Sequence, residues 1–216
     1  MAKTISDIYS EYKIMPRLQD HMLRVAAVAS MICDNFDEPL PKKDIVLLCL
    51  LHDMGNIIKS NLNYFPEFLE PEGLGFWQGV QNEYFEKYGK DEHEATLAIM
   101  RELNVNEELV ELLYQIEFPL MCQHRDGSDK RIKIITYSDN RVDPKGVVSF
   151  NERMEEARIR YKNKKLLKRP EEERLKLVAC GQEIEKQVFS KCKIRPEDVN
   201  NETVAPIVAQ LRHFII

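Results

Sequence analysis

The chain is poor in the residues that interrupt helices. It has eight glycines and ten prolines among 216 residues, a smaller share than the ~12% of an average protein. Charged residues make up 31% of the sequence. The longest unbroken apolar run, residues 45–51, is far shorter than the ~18 residues expected of a membrane-spanning helix. The composition therefore predicts a helical protein and no membrane partner.

Cysteine pairs at metal-binding spacing are also lacking. None of the five cysteines belongs to a Cys-x-x-Cys pair, so a thiolate metal site is not expected. Residues 1–13 lack the apolar core of a signal peptide. Both features favour a reducing, cytoplasmic location. A net charge of −5 makes nucleic acid an unexpected partner, because nucleic-acid binders carry a basic surface.

The spacing of apolar residues predicts an all-α protein, a helical bundle with a C-terminal helical extension. Residues 45–51 are apolar on every side and should form the buried centre of the bundle. No segment alternates long enough to predict a sheet. We expect a metal-binding core over residues 1–145 and a more charged extension over residues 146–216 packed on it. The predicted helices cover residues 6–14, 17–35, 42–54, 76–88, 91–103, 106–115, 130–142, 149–167, 170–190 and 204–214.

Several polar residues occupy positions where the pattern calls for apolar ones. His21 lies within the apolar stripe of its helix, His52 and Asp53 end the all-apolar helix, and Asp139 lies on a buried face. One such histidine is more often a hydrogen-bonded core residue than a ligand. The whole set favours a divalent ion, since a buried carboxylate costs several kcal/mol unless it is paired or binds a metal. Mixed His and Asp ligands suit Fe, Mn, Ni or Zn.

These residues and their surroundings resemble the HD-domain superfamily of metal-dependent phosphohydrolases, whose pattern is H…HD…D. The matching segments are HMLRVAAVA around His21, LLHDMGNIIK around the doublet formed by His52 and Asp53, and ITYSDNRVDP around Asp139. The resemblance covers about residues 16–143. It implies an all-α core, a metal held by His21, His52, Asp53 and Asp139, and hydrolysis of phosphate esters, often nucleotides.

Two further histidines fall between the doublet and the last aspartate. His93 and His124 resemble the extended H…HD…H…H…D pattern of members that bind two metals or a metal-bound phosphate. His93 shares a predicted helix face with Leu97 and Met100, so we expect it near the same centre as a second-ion ligand or a phosphate hydrogen-bond donor. For His124, a metal ligand and a plain surface histidine both remain open.

Positive charge is needed around a phosphoryl group during its transfer. Many members of the superfamily have a lysine soon after the doublet, whereas this chain has Asn56 there. Arg24, one helical turn after His21, could face the phosphate or could equally be an ion-pair partner along its helix. The candidate phosphate-binding residues are Arg24, Lys59, Arg125 and Arg141.

Two longer segments allow a functional and a structural interpretation. Residues 64–88 concentrate eight of the aromatic residues. They could form a lid that stacks on a nucleobase, but the pattern favours an apolar cluster that ties a long connection to the bundle. The basic residues within 158–169 favour a solvated helix face over a nucleic-acid surface.

The sequence as a whole predicts a metal-dependent phosphohydrolase that acts on a nucleotide-like phosphate ester or anhydride. One or two divalent ions would activate water, and Asp53 would bridge a second ion or take a proton from that water. Asp53 and His93 are the expected catalytic residues. The alternatives are an HD-type module that senses a nucleotide with little turnover, and a helical protein whose core histidines are purely structural.

Overall fold

All regular secondary structure is helical in the computed structural model, which describes residues 3–64, 66–161 and 170–216. The prediction of an all-α fold is confirmed. The described residues form eleven α-helices: α1 (Ile5–Glu11), α2 (Pro16–Asp34), α3 (Lys42–Leu51), α4 (Gly73–Tyr88), α5 (Glu92–Glu102), α6 (Glu107–Tyr114), α7 (Met121–Asp126), α8 (Lys130–Asp139), α9 (Phe150–Tyr161), α10 (Glu171–Phe189) and α11 (Asn201–Leu211). Short 3₁₀ turns occupy Asn56–Lys59, Pro66–Phe68, Phe118–Leu120 and Pro196–Asp198.

The helix boundaries differ from the predicted ones where polar side chains end or start a helix. Helix α8 stops at Asp139, and the Asn140 amide donates to the carbonyl of Thr136 at 2.8 Å. Helix α11 starts earlier than predicted because the Asn200 side chain accepts from the backbone of Glu202 and Thr203. Helix α7 was not predicted, since six residues are too few to show an apolar stripe.

The buried centre of the bundle is α3, as its apolar sequence predicts. Ile45, Leu48 and Cys49 are fully buried. Helix α2 packs along α3 and also contacts α8 and α11. Because α2 and α8 both flank α3, polar residues near the end of α3 lie close to both of these helices.

The last third of the chain is held against the bundle by buried polar contacts. Helix α10 packs on α7 and α8, and the chain ends meet where Ile216 donates its backbone N–H to Lys3. Arg141 is 3% exposed, and its guanidinium donates to the Tyr137 hydroxyl and to backbone carbonyls that include that of Val199. The domain boundary at residue 145 stays a prediction.

A disulfide joins Cys122 of α7 to Cys180 of α10, with their Cα atoms 5.1 Å apart. The two residues are 58 positions apart in the chain, and their spacing in the sequence gave no sign of this pairing. Cys33, Cys49 and Cys192 are free. None of the described helices is long and apolar enough to cross a membrane.

The aromatic segment packs onto the turn that follows α3. Trp77 is buried and donates its indole N–H to the carbonyl of Leu69, while buried Gln81 donates to the carbonyl of Ile57 at 2.7 Å. These contacts favour the apolar-cluster interpretation, although the ring of Phe76 remains 45% exposed. Phe65, which belongs to this segment, lies outside the described residues.

The structure describes only the first part of the basic run within residues 158–169. Arg158 pairs with Glu155 and Arg160 with Glu156, along the same helix α9. The remaining basic residues of the run, within 162–169, and the end of the helix predicted over residues 149–167 lie outside the described residues.

The close approach of α5 to the turn after α3 generates a prediction about stability. A Cβ atom added at Gly55 would lie 2.3 Å from the carbonyl oxygen of Glu92 and 2.9 Å from the backbone nitrogen of Thr96. Backbone atoms cannot yield as a flexible side chain can, so we expect Gly55→Ala to destabilise the protein by about 1–3 kcal/mol.

The matched control is Gly79→Ala in α4, where an added Cβ meets nothing within 4 Å. This change should leave stability unchanged or raise it by about 0.5–1 kcal/mol, as expected for alanine in a helix interior. Urea unfolding measures both variants. Equal stability of the two would contradict the tight packing described at Gly55.

Candidate metal centre

Three helices bring four of the predicted ligands to one place. His21 projects from α2, His52 is the residue that caps the C-terminus of α3, Asp53 follows it, and Asp139 is the last residue of α8. The burial of α3 carries His52 inward, so that its side chain is only 8% exposed. The site therefore arises because α3 and α8 both end in polar residues beside α2.

The ligand atoms are spaced as atoms around a single ion would be. The Nε2 atom of His21 lies 3.1 Å from Oδ1 of Asp139 and 3.7 Å from Oδ2 of Asp53. The Nε2 atom of His52 lies 3.4 Å and 3.7 Å from the same two oxygens. Ligand atoms bound at ~2.1 Å to one ion are about 3.0–3.4 Å apart in octahedral or tetrahedral geometry, so these four His–carboxylate separations lie close to the spacing that a shared ion requires.

One atom at the centre lacks a hydrogen-bond partner. The Nδ1 atom of His52 lies 2.8 Å from the carbonyl oxygen of Cys49, and only an N–H can bond to a carbonyl, so Nδ1 carries a proton. In the neutral ring, Nε2 then presents a lone pair. This Nε2 atom is buried and has no hydrogen bond of good geometry. A metal ion would satisfy it, and the contact with Cys49 already fixes the ring in the orientation that a ligand needs.

The charges at the site act strongly on one another. Burial lowers the pKa of His52, but the carboxylates of Asp53 and Asp139 outweigh this effect and raise its pKa to about 9. Burial raises the pKa of Asp139, but the neighbouring imidazole rings of His21 and His52 outweigh this effect and hold that pKa well below the usual range. A divalent ion bound by this cluster would therefore compete with protons for it.

Two of the predicted phosphate-binding residues lie on elements next to the site. Arg24, one turn after His21 on α2, is half-buried and forms no hydrogen bond or ion pair with the described residues. The ion-pair alternative for Arg24 is therefore wrong for this part of the chain. Lys59 ends the 3₁₀ turn after the doublet, and its Nζ atom lies 3.3 Å from an oxygen of Glu92.

The other two arginines have different partners. Arg125 donates to Asp126 and to the sulfur of Cys180, and neither of these contacts involves the four-residue cluster. Arg141 uses all three guanidinium nitrogens, of which Nε donates to the carbonyl of Val148 and Nη2 to those of Pro196 and Val199. The structure thus corrects the expectation for Arg141, because its guanidinium is buried and every nitrogen already donates to a protein acceptor.

His93 and His124 both contact the C-terminal end of α6. The Nε2 atom of His93 lies 3.3 Å from the carbonyl oxygen of Tyr114, and that of His124 lies 2.8 Å from the next carbonyl, Gln115. His124 is 6% exposed, which excludes a plain surface histidine. Its Nδ1 atom accepts from the Thr136 hydroxyl at 3.1 Å, so both ring nitrogens of His124 are engaged in a structural role.

Sequence reasoning missed the residue that fixes the turn after the doublet. The backbone N–H of Gly55 donates to Oγ1 of Thr96 at 2.9 Å, and this hydroxyl donates to the carbonyl of Glu92. Thr96 is 1% exposed. A threonine on the inward face of α5 was the only signal in the sequence, and it does not identify a distant partner.

The raised pKa of His52 generates a prediction about the metal-free protein. A histidine has a pKa of about 6.5 in an unfolded chain, whereas that of folded His52 is about 9. The folded state therefore binds more protons between these values, and stability falls as the pH rises from about 6.5 to 9. We expect the melting temperature of chelator-treated protein to decline over this window.

His52→Gln should flatten this decline, whereas the control His213→Gln, at an exposed position, should retain it. Added Mn²⁺ should oppose the decline, because binding to neutral histidines strengthens as the pH rises. A melting temperature that rises over the window in metal-free protein would contradict the arrangement of charges described above.

A comparison with protein-family models agrees with this geometry. The model of the HD domain matches residues 18–178, which include all four side chains of the cluster. Comparisons with curated proteins and with solved structures found no match. The match extends over most of the chain, from α2 into α10, and this chain belongs to the HD-domain family, a superfamily largely of metal-dependent phosphohydrolases.

Proposed function

We propose that the protein is a metal-dependent phosphohydrolase acting on a nucleotide-like phosphate ester or anhydride. The observation that carries the proposal is the grouping of His21, His52 and Asp53, joined by an oxygen of Asp139 that lies close to both histidine rings, around the unpartnered Nε2 atom of His52. Two nitrogens and two carboxylate oxygens form a ligand set suited to Fe, Mn, Ni or Zn. A divalent ion bound there supplies a hydroxide nucleophile near neutral pH and polarises a P–O bond.

The side chains of the cluster fit the handling of a water molecule and its proton. Asp53 and Asp139 are 21% and 35% exposed, whereas His52 is 8% exposed. The carboxylates are thus the more accessible members, and His52 forms the inner wall. The contacts of Asp53 with the two histidines involve only its Oδ2 atom, whereas Asp139 is hydrogen-bonded to His21, so Asp53 is the residue that we propose takes a proton from the attacking water.

Arg24 is the residue that we propose binds the phosphoryl group. It is half-buried and unpaired among the described residues, and it follows His21 by one turn on the same helix. A half-buried guanidinium without a counter-ion favours an anionic ligand, to which it can donate two parallel hydrogen bonds. Lys59 would add charge from the other side of the doublet once its exposed ion pair with Glu92 opens.

His93 is proposed as an accessory residue of the same centre. Its helix packs on the 3₁₀ turn that follows the doublet, and its 3.3 Å contact with the Tyr114 carbonyl is a long hydrogen bond. The ring could exchange this contact for a phosphate oxygen or a second ion at little cost. His124 makes shorter bonds, and we do not propose it as a ligand.

A nucleotide-sensing role with little turnover is the alternative function. It is favoured by Asn56, which stands where many members of the superfamily have a lysine, and by the pairing of Lys59 with Glu92. Metal-replete protein tested against a panel of nucleotides separates the two functions. Turnover supports the hydrolase, and saturable binding without turnover supports the sensor.

Removal of one ligand should remove both the metal and the activity. We expect Asp53→Ala to lose most of the bound metal and Asp53→Asn to lose nearly all nucleotide hydrolysis, as chelation of the wild type should. Circular dichroism should still show the helices. Elemental analysis and a phosphate-release assay measure these effects.

The matched control is Asp34→Asn, which removes an exposed carboxylate that pairs with Lys42 at the end of α2. This variant should keep its metal and its activity. Unchanged metal content in Asp53→Ala would disprove the site, and turnover that survives chelation would disprove the mechanism.

Loss of Arg24 should impair substrate binding more than metal binding. We expect Arg24→Gln to lower kcat/KM about 10-fold to 100-fold, which corresponds to a lost charge-assisted contact of about 1.5–3 kcal/mol. The metal content should stay unchanged. The control Arg101→Gln removes an exposed arginine that pairs with Glu107 and should have wild-type kinetics; equal kinetics of both variants would exclude Arg24 from the phosphate site.

A further inference from the structure

The disulfide between α7 and α10 has one protected and one accessible sulfur. Cys180 is 1% exposed, whereas Cys122 is half-buried. The guanidinium of Arg125, one turn after Cys122, places Nη1 3.2 Å from the sulfur of Cys180. Arg125 also pairs with Asp126 at 2.8 Å, which holds the guanidinium in place. A cation beside a sulfur stabilises the thiolate that forms when its disulfide opens.

The three remaining cysteines lie in surroundings of the opposite kind. Burial raises the pKa of Cys33 to about 12 and that of Cys192 to about 11, and it raises the pKa of Cys49 as well. A thiol that remains protonated is a poor nucleophile. Only the pair on α7 and α10 combines a partner sulfur, partial access and an adjacent cation among the described cysteines.

We propose that Cys122 and Cys180 form a redox-active site that exchanges with small thiols and disulfides of the glutathione class. A thiolate attacks the accessible sulfur of Cys122 and forms a mixed disulfide. The Cys122–Cys180 bond breaks, and its electron pair leaves on the sulfur of Cys180 beside Arg125. A second thiolate attacks the external sulfur of the mixed disulfide and releases Cys122, which yields two cysteine thiols and one oxidised small-molecule disulfide.

Opening or closing this disulfide changes how α10 is joined to α7 and, through α7, to α8, which ends at Asp139. Helix α7 carries His124, whose ring bonds to Gln115 and to Thr136 of α8, one turn before Asp139. Helix α10 packs on both α7 and α8. Closing a loop of 58 residues restricts the unfolded chain, so reduction should lower the melting temperature by on the order of 10 °C.

The test uses the full chain equilibrated with mixtures of reduced and oxidised glutathione, then alkylated and mapped as peptides. We expect oxidised glutathione to produce the Cys122–Cys180 linkage and reduced glutathione to reverse it. In Cys180→Ser, glutathione should accumulate on Cys122. Thiols that stay free at every ratio, or glutathione that is found on Cys33 or Cys192 instead, would overturn the proposal.

The role of Arg125 is tested by the rate of reduction. Arg125→Gln should slow the reduction of the disulfide by glutathione about threefold to tenfold, because the leaving thiolate loses its cation. The control Arg101→Gln removes an exposed arginine that pairs with Glu107, and it should leave the rate of reduction unchanged. Equal rates in Arg125→Gln and wild type would overturn the assignment of Cys180 as the leaving sulfur. Reduction should not change the melting temperature of the folded double variant Cys122→Ser/Cys180→Ser.

Discussion

A polar ring at the end of a buried apolar helix is the constraint on which the site depends. Helix α3 places His52 where water hardly reaches, and the Nε2 atom of this ring has no hydrogen bond. Such an atom destabilises the fold by about 1–3 kcal/mol unless something satisfies it. The carboxylates of Asp53 and Asp139 interact favourably with a positive charge at the His52 ring. Two carboxylates in turn require two positive charges for neutrality. A single divalent ion meets that need.

Contacts with the outer helices hold the side chains of the cluster in position. Asp139 ends α8, and the residues on either side of it are tied to the C-terminal part of the chain. Tyr137 donates to Glu185 of α10 at 2.6 Å, and Arg141 reaches the carbonyl of Val199. On the other side, Thr96 holds the turn after the doublet against α5. These contacts lie behind the cluster and give two of the buried polar residues outside it, Thr96 and Arg141, a structural role.

The sequence predicted the parts of this arrangement that follow from local periodicity. A helical period placed His21 and Asp139 on inward faces, and an all-apolar run marked α3 as central, because burial repeats every three to four residues along a helix. It could not predict the partners of Arg125 and Arg141 or the pairing of Cys122 with Cys180. Those contacts join residues far apart in the chain, and a contact between distant residues leaves no periodic pattern. Helix α7 was missed for a related reason, since two turns are too short for a stripe.

The central claim is that one metal ion binds among His21, His52, Asp53 and Asp139. A crystal structure of the Mn²⁺-loaded protein, with anomalous data collected on both sides of the manganese absorption edge, tests it most directly. The account predicts an anomalous peak about 2.0–2.3 Å from Nε2 of both histidines and from one oxygen of each carboxylate. A Mn²⁺ peak elsewhere, with none of these four side chains bound to it, would contradict it.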